Sequence, residues 1–345
     1  MVSLDIFHQD PFSTIQMTAA VERIPYQPTM LSEMGIFVDD PIRTTALAVE
    51  ERNGILTLIQ TSQRGQPVNL ERTTEKRKMR YFEVPRITQG DTIYAEELQN
   101  IRAFGQESEL MQVQAEVARR LAGPTGLLAN VAYTWENMML GSVQGLLLDA
   151  DGTQIYNWFD EFQVAQPAEV GFNLAANTPG SLRPIINGIV RGMYRAAKGG
   201  MPPGTRIQAL CGDSFFDLFT NHNDVIRTFL NWGDAAELRG SQGGAFASFP
   251  FAEIDWINYR GSDDNATIKI PDDKVKFFPK GAPGIMRRAL APASRFEFAN
   301  TPGKPVYVYP IFDRDRNEWW RQEVYSHPLY ICTRPEVLWS GRSEA

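Results

Sequence analysis

The sequence predicts an α+β fold, because helical and strand patterns both occur and neither dominates. Two extended arms flank a long polar tip within residues 52–105, a helical pattern begins at Tyr94, and short strand patterns fill residues 253–333. No segment of 20–50 residues repeats, which argues against a solenoid or a propeller. A chain of 345 residues can bury a core in one elaborate domain or in two to three subdomains.

The arms and their tip are the most informative part of the chain. Residues 55–61 and 79–84 favour strand, and Pro85 ends the second arm because it cannot donate to a ladder. The intervening residues, 63–78, are polar and basic and have almost nothing to bury. Since a lone two-stranded hairpin is marginal in water and long loops are usually functional or disordered, we expect this arm to pack on another molecule.

The basic tip raises the question of which partner it contacts. Glu71 and Glu75 lie among its basic residues, aromatic side chains do not interleave with them, and the net charge of the chain is −7. These features favour an acidic protein surface over nucleic acid, with a solvated loop as the alternative. The expected interface residues are Arg64, Arg72, Lys76, Arg77, Lys78 and Arg80.

Before the arms, the pattern is weak. Residues 13–23 carry a faint helical signal, and the prolines that follow predict an extended path through Met34 to a β-prone stretch at 44–51. After the arms, apolar residues recur at helical spacing from Tyr94 to Leu146, with a break predicted at the GPTG sequence of 123–126. This pattern indicates either a long broken helical spine or two ordinary core helices.

The second half alternates between helix and strand. Asp151-Gly152 predicts the turn of a hairpin over 145–159, and 160–180 is expected to be a loop. Helices are predicted at 181–198, capped by Ser181, and at 213–232, capped by Asp213 or Ser214, with a glycine-rich loop at 239–249. Strands are predicted at 206–211, 253–259, 274–278, 285–290, 306–313, 319–326 and 329–333.

Composition and motifs argue against an enzyme. Hydrophobic residues make up 43% and charged residues 22% of the chain, as in soluble globular proteins, and no apolar run approaches the ~18–20 residues that span a bilayer. The N-terminus lacks the pattern of a signal peptide, so we expect no membrane partner. Cys211 and Cys332 lie far apart and are expected to be buried free thiols; with three histidines and no ligand cluster, we expect no metal and no cofactor.

Two motifs imitate catalytic or calcium-binding sites and fail. Gly212-Asp213-Ser214 matches the triplet of a serine esterase family, but it lies in mid-chain and no histidine has the matching Asp-x-x-His pattern, so a helix cap is the better interpretation. The sequence DRDRN at 313–317 resembles the start of a calcium loop. It has Glu318 where glycine is needed and Val324 where glutamate is needed, which favours a polar turn between strands.

Several stretches together resemble the major capsid protein E family of tailed phages, the lambda-type branch of the Hong Kong 97 capsid fold. The stretches are TAAVERIP at 18–25, ERNGILTL at 51–58, RGQP at 64–67, VPRI at 84–87, DTI at 91–93, EEL at 96–98, IRAFG at 101–105, DADG at 149–152, HPLY at 327–330 and RPE at 334–336. Each motif is weak alone, and their order and spacing carry the resemblance, which covers nearly the whole chain.

The resemblance implies a particular domain order. It places an N-terminal arm at 1–45, an E-loop at 46–93, a P domain with spine helix and β-hairpin at 94–174, an A domain at 175–300, and strands that return to the P domain at 301–345. Residues before the E-loop are too few for a fused scaffolding domain, so a separate scaffolding protein is expected. Some members of the wider fold cross-link the E-loop to a neighbour, for which Lys76 or Lys78 could be the donor. Lambda-type relatives instead rely on decoration proteins, so we expect no cross-link.

The resemblance therefore implies a structural protein and not an enzyme. The expected function is that of a major capsid protein, which assembles with itself into hexamers and pentamers of an icosahedral shell around double-stranded DNA. Expected partners are the scaffolding protein, a decoration protein and the portal, and the expected location is the virion, preceded by the host cytoplasm during assembly. The alternatives are an encapsulin-like shell that holds an enzyme, and a soluble hydrolase that uses Ser214.

Overall fold

The computed structural model describes residues 26–53, 76–100, 117–230, 248–264, 266–313, 315–316 and 318–344. The helices are α1 (Met30–Met34), α2 (Ala95–Asn100), α3 (Leu127–Val143), α4 (Trp158–Phe162), α5 (Leu182–Ala196), α6 (Asp213–Thr220) and α7 (Asn223–Leu230). Short 3₁₀ helices lie at Leu174–Ala176, Phe296–Phe298 and Pro335–Val337.

Sixteen strands are described between and after these helices. They are β1 (Val38–Pro41), β2 (Ala46–Asn53), β3 (Lys76–Glu83), β4 (Ile87–Tyr94), β5 (Leu146–Leu148), β6 (Gln154–Asn157), β7 (Val170–Gly171), β8 (Arg206–Cys211), β9 (Ser248–Phe251), β10 (Ile254–Asn258), β11 (Lys274–Lys280), β12 (Met286–Leu290), β13 (Tyr307–Phe312), β14 (Trp319–Ser326), β15 (Pro328–Cys332) and β16 (Trp339–Arg342). The predicted mixture of helix and strand is confirmed.

A six-stranded mixed sheet forms the largest described layer. Its order is β7-β16-β11-β8-β10-β9, with β8 parallel to β10 and antiparallel to β11. Strand β8 is buried at every position after its first residue, as expected for a central strand covered on both faces. Trp256 of β10 stacks on Phe219 of α6, with ring centroids 3.9 Å apart, so aromatic packing fixes that helix on the sheet.

Two three-stranded sheets join distant parts of the chain. The first has the order β1-β12-β15, and the second has the order β13-β14-β4. Strand β4, at the end of the segment predicted to be the E-loop, pairs along its whole length with β14, more than 200 residues later. Strands β1 and β4 lie where the sequence patterns predicted no strand, because their stability comes from partners that are remote in sequence.

Helix α3 begins immediately after the predicted break. Gly126 precedes its first residue, and a turn at 123–126 separates it from helical residues at 117–122. The helix buries Met138, Met139 and Leu140 against the core. Whether one broken spine extends back to Tyr94 depends on 101–116, which lie outside the described residues.

Several local predictions were wrong. The path through Met34 is not wholly extended, since residues 30–34 form α1. The expected second strand of the 145–159 hairpin ends at Asn157, whose side chain accepts a hydrogen bond from Phe159 and starts α4. Strand β7 and a 3₁₀ helix occupy part of the expected loop at 160–180.

The predicted helix caps are also wrong. Ser181 makes no cap bond to α5; instead the carboxylate of Asp224 accepts hydrogen bonds from the amides of Gly180 and Leu182, at 2.6 and 3.1 Å. The start of α6 has no side-chain cap, because Gly212 precedes it. In α6 the amide of Phe215 donates to the carbonyl of Asp272 at 2.8 Å, so a remote backbone acceptor takes the place of a side-chain cap.

Candidate assembly surface

The described part of the segment predicted to be the E-loop includes a two-stranded ribbon formed by β2 and β3. The strands are antiparallel, with Leu47 opposite Phe82 and Val49 opposite Arg80. Because side chains alternate across a strand, one face of the ribbon carries Leu47, Val49 and Phe82, and the other carries Met79 and Tyr81. We call the first the anchored face and the second the outer face.

Phe82 fixes the anchored face to the hairpin of β5 and β6 and to α4. It is 1% exposed, and its ring meets Trp158 edge-on at 5.5 Å and Tyr156 edge-on at 5.7 Å. Phe162 lies on another side of the ring, 5.8 Å away. The phenol of Tyr156 also donates a hydrogen bond to the carbonyl of Glu83, so the end of the ribbon is tied to β6.

Basic side chains extend this anchorage along the ribbon. The guanidinium of Arg80 donates to the carbonyls of Glu161 and Phe162, the latter at 3.2 Å, and lies 5.3 Å from the Phe162 ring. The ammonium of Lys78 donates to the side-chain oxygen of Gln163 at 2.9 Å. The Arg80 contacts satisfy carbonyls at the C-terminal end of α4, where free carbonyls favour cations, and Lys78 contacts the side chain of the residue that follows the helix.

The outer face has a different character. Tyr81 is 71% exposed and Met79 is 51% exposed, although both lie in the middle of a regular strand. Across the ribbon they stand opposite Ala48 and Glu50, which are also exposed. A large aromatic side chain on an exposed sheet face is typical of surfaces that bind another protein.

The structure brings some of the expected interface residues together and separates others. Lys78 and Arg80 both contact the end of α4 in the same chain. Lys76 and Arg77 occupy the first two positions of β3, opposite Asn53 and Arg52. Arg64 and Arg72 lie outside the described residues. The contacts that these residues make with a neighbouring subunit stay a prediction.

Neither face of the ribbon was predicted from the sequence. The positive charges at 76–80 indicate an interface, whereas the residues between and after them had no predicted role. The signal was present as the alternation Lys78, Met79, Arg80, Tyr81, Phe82, which places charges and Phe82 on one face and apolar residues on the other. The sequence could not show that the end of α4 and the residue after it supply the hydrogen-bond acceptors for Lys78 and Arg80.

A second set of contacts fastens the N-terminal strand. Strand β1 runs parallel to β12, and Arg288 forms a bidentate ion pair with Asp39, at 2.6 and 2.7 Å. Arg287 forms an ion pair with Asp40. The guanidinium of Arg288 also lies 5.5 Å from the ring of Trp135 in α3, so helix, sheet and N-terminal strand meet at one point.

The enzyme-like motifs form no catalytic arrangement in the described structure. Ser214 is exposed on α6, and within the described residues no hydrogen bond joins it to a histidine. The carboxylate of Asp313 accepts hydrogen bonds from the amides of Asp315, Arg316 and Glu318. It therefore closes the polar turn between β13 and β14, as predicted from the failed calcium motif.

Other potential reactive groups are buried. Cys211 and Cys332 are free and fully buried, as predicted, and burial raises the pKa of both thiols, that of Cys332 to about 12. Among the described residues, no group of three or more His, Cys, Asp or Glu side chains could hold a metal ion. None of the described helices is long and apolar enough to cross a membrane.

Comparison with known proteins identifies the family. The chain matches the family described as phage major capsid protein E over residues 13–343. The major capsid protein of Pseudomonas phage KPP10 is 25% identical over 350 residues, which cover 97% of this chain and 98% of that protein. The major capsid protein of Salmonella phage Felix O1 is 24% identical and covers 97% of each chain.

Solved structures agree on the fold. The capsid structure of cyanophage P-SCSP1u has a TM-score of 0.51 at 10% identity, covering 90% of this chain and 87% of that chain. The putative capsid protein of a prophage of E. coli CFT073 has a TM-score of 0.50 at 12% identity, covering 93% and 94%. The predicted Hong Kong 97-type fold is thereby confirmed.

The family match spans nearly the whole chain and favours neither an enzyme-holding shell nor a hydrolase. The predicted structural role, in place of an enzymatic one, is confirmed by the same match. The chain belongs to the phage major capsid protein E family and serves as a major capsid protein of a tailed phage.

Proposed function

We propose that this chain assembles through its β2–β3 ribbon into hexamers and pentamers of an icosahedral shell around double-stranded DNA. The observation that carries the proposal is a ribbon with one face anchored by Phe82 and the other exposing Tyr81 and Met79. Assembly takes place in the host cytoplasm with a separate scaffolding protein. A decoration protein and the portal complete the set of partners, and no membrane takes part.

We also propose a division of the chain into five segments. The segments are the N-terminal arm at 1–45, the E-loop at 46–93, the P domain at 94–174, the A domain at 175–300 and the return strands at 301–345. The pairing of β4 with β14 supports a common framework for the end of the E-loop and the return strands. Strand β16 of the last segment pairs with β11 of the A domain, so these segments share a sheet.

Anchorage on one face makes the other face available to a partner. Phe82, Arg80 and Lys78 hold the ribbon on its own subunit, which sets its direction before assembly and lowers the entropic cost of binding. The outer face then presents Tyr81 to the adjacent subunit. In a closed shell each subunit is held by several neighbours, so modest contacts sum to a stable particle.

Replacing Tyr81 with serine tests the outer face. Removal of an aromatic anchor from an interface costs on the order of 2 kcal/mol, so we expect the critical concentration for assembly to rise at least about tenfold. Light scattering and sedimentation of purified subunits measure the change. Tyr81→Phe, which keeps the ring, should assemble like wild type. Equal assembly of the serine variant would exclude this face from the interface.

Charge reversal tests the tip. We expect glutamate at Arg72, Lys76 and Arg77 to weaken assembly and to make it more salt-dependent, because the reversed charges repel acidic patches on neighbours and salt screens that repulsion over about 10 Å at 0.1 M. Assembly yield is measured between about 0.05 and 0.5 M salt, over which the screening length falls about threefold. A control variant reverses the exposed Lys198, Lys269 and Lys304. Normal particles from the tip variant would contradict the proposal.

Nuclease protection tests the enclosed DNA. Particles from infected cells should protect double-stranded DNA from added nuclease until the shell is disrupted. A shell that holds an enzyme would instead protect a protein cargo and leave no DNA after digestion.

A further inference from the structure

Glu136 in α3 joins three separate parts of the chain through one buried carboxyl group. Its Oε1 accepts a hydrogen bond from the amide of Leu31 at 2.9 Å and from the phenol of Tyr259 at 3.1 Å. Its Oε2 accepts a single long bond from the amide of Ser32, at 3.4 Å. Helix α1 is thus held to α3 and to the end of β10 by this group.

The surroundings of Glu136 do not neutralise a negative charge. The side chain is 1% exposed, and within the described residues no ion pair joins it to a lysine, arginine or histidine. The titratable groups that face it are Glu33 from α1, Tyr259 after β10 and Tyr330 from β15. The nearby cation on β12, Arg288, is paired with Asp39.

These surroundings favour the neutral carboxyl group. Burial raises the pKa of Glu136 from 4.5 to about 7, although the hydrogen bonds from Leu31, Tyr259 and Ser32 oppose the change. The weakly bonded Oε2 is the atom on which the proton fits, since Oε1 already accepts two hydrogen bonds. Leu31, fully buried beside this contact, is the apolar part of the same attachment.

We propose that Glu136 is a proton-sensitive latch that keeps helix α1 docked on α3 when neutral and loosens it when ionised. Ionisation leaves an unpaired charge in the interior, and opening of α1 admits water to it. The pH thereby controls how firmly the segment that leads into β1 is attached to the core. It lies within one chain, so it does not depend on how the subunits assemble.

The direction of the pH dependence follows from linkage. Below pH 4.5 the docked and open states both hold the proton, and docking is strongest. Between pH 4.5 and about 7 the docked state alone holds it, so docking weakens as the pH rises, and above about 7 it levels off. The equilibrium constant for opening should rise by about two orders of magnitude over this range.

Hydrogen exchange of the full-length protein tests the latch. We expect the protection factors of the Leu31 and Ser32 amides, corrected for the intrinsic rate, to fall by roughly 10–100-fold between pH 5 and pH 8. Glu136→Gln should abolish that dependence, because the amide cannot ionise. The control Glu323→Gln removes another carboxylate bonded to a tyrosine, Tyr325, and should keep the wild-type profile.

A second variant keeps the proposal testable if Glu136→Gln does not fold. Tyr259→Phe removes a donor that favours the ionised form, so the pKa of Glu136 rises and the loss of protection should move to higher pH. Protection at Leu31 and Ser32 that is independent of pH in the wild type would overturn the latch. A pH dependence that persists in Glu136→Gln, or a midpoint unmoved by Tyr259→Phe, would overturn it as well.

Discussion

Replacing Phe82 with alanine is expected to release the ribbon from its own subunit and to lower the free energy of unfolding by about 3–5 kcal/mol, the usual cost of deleting a buried aromatic ring. The ring is 1% exposed and lies among Tyr156, Trp158 and Phe162, so its removal leaves a cavity lined by rigid aromatic side chains. Urea denaturation measures the loss, and light scattering measures assembly.

We expect Phe82→Ala to prevent assembly under conditions in which the core of the subunit stays folded. The ribbon that presents Tyr81 would lose its fixed direction, so assembly should fail even at temperatures where the core stays folded. Phe296→Ala is the matched control, because Phe296 is fully exposed and its loss should change stability by no more than about 0.5 kcal/mol. Normal assembly of Phe82→Ala would show that anchorage on α4 is not needed.

Replacing Gly145 with alanine should disrupt the structure that receives the ribbon. Gly145 has a φ of +87°, and an added Cβ would lie 2.2 Å from Cε2 of Phe159 in α4. A left-handed backbone costs a side chain about 1–2 kcal/mol, and overpacking adds about 1–3 kcal/mol. We expect a loss of roughly 2–5 kcal/mol in the free energy of unfolding, measured by urea denaturation.

Gly152→Ala separates the two causes. Gly152 lies in the turn of the same hairpin with a similar φ of +82°, and no atom lies within 4 Å of its added Cβ. It should therefore lose only the backbone part, about 1–2 kcal/mol. Equal losses for the two variants would mean that contact with Phe159 does not matter, and that α4 can shift without cost.

Much of the secondary structure was predictable because local patterns agreed with the final fold. Strands β8 and β14 coincide with their predicted bounds, 206–211 and 319–326. The start of α3 follows the predicted break at 123–126. In each case a run of apolar or alternating residues ends at glycine, proline or a polar turn, so the signal lies within the segment itself.

The failures occurred where a remote side chain or strand supplied the decisive contact. The predicted helix at 213–232 is divided at Asn221–His222, and the side chain of Asn177 accepts the hydrogen bond of the Asn223 amide that starts α7. Asp224 in turn caps α5, in place of the predicted Ser181. Periodicity within a segment contains no information on such partners.

For the candidate assembly surface, too, one part was predictable from the sequence and another was not. The sequence alone predicted strand-forming arms around a polar, basic segment within residues 52–105, with no metal-ligand pattern. The observed ribbon pairs 46–53 with 76–83, so its first strand lies before the predicted first arm at 55–61, which falls outside the described residues. Only the tertiary structure decided which way the ribbon faces. From the alternation along β3 alone, either face of the ribbon could pack on the core. The aromatic side chains of β6 and α4 pack on the face that carries Phe82. Burial on that side leaves Tyr81 exposed on the other, because a strand turns successive side chains to opposite faces.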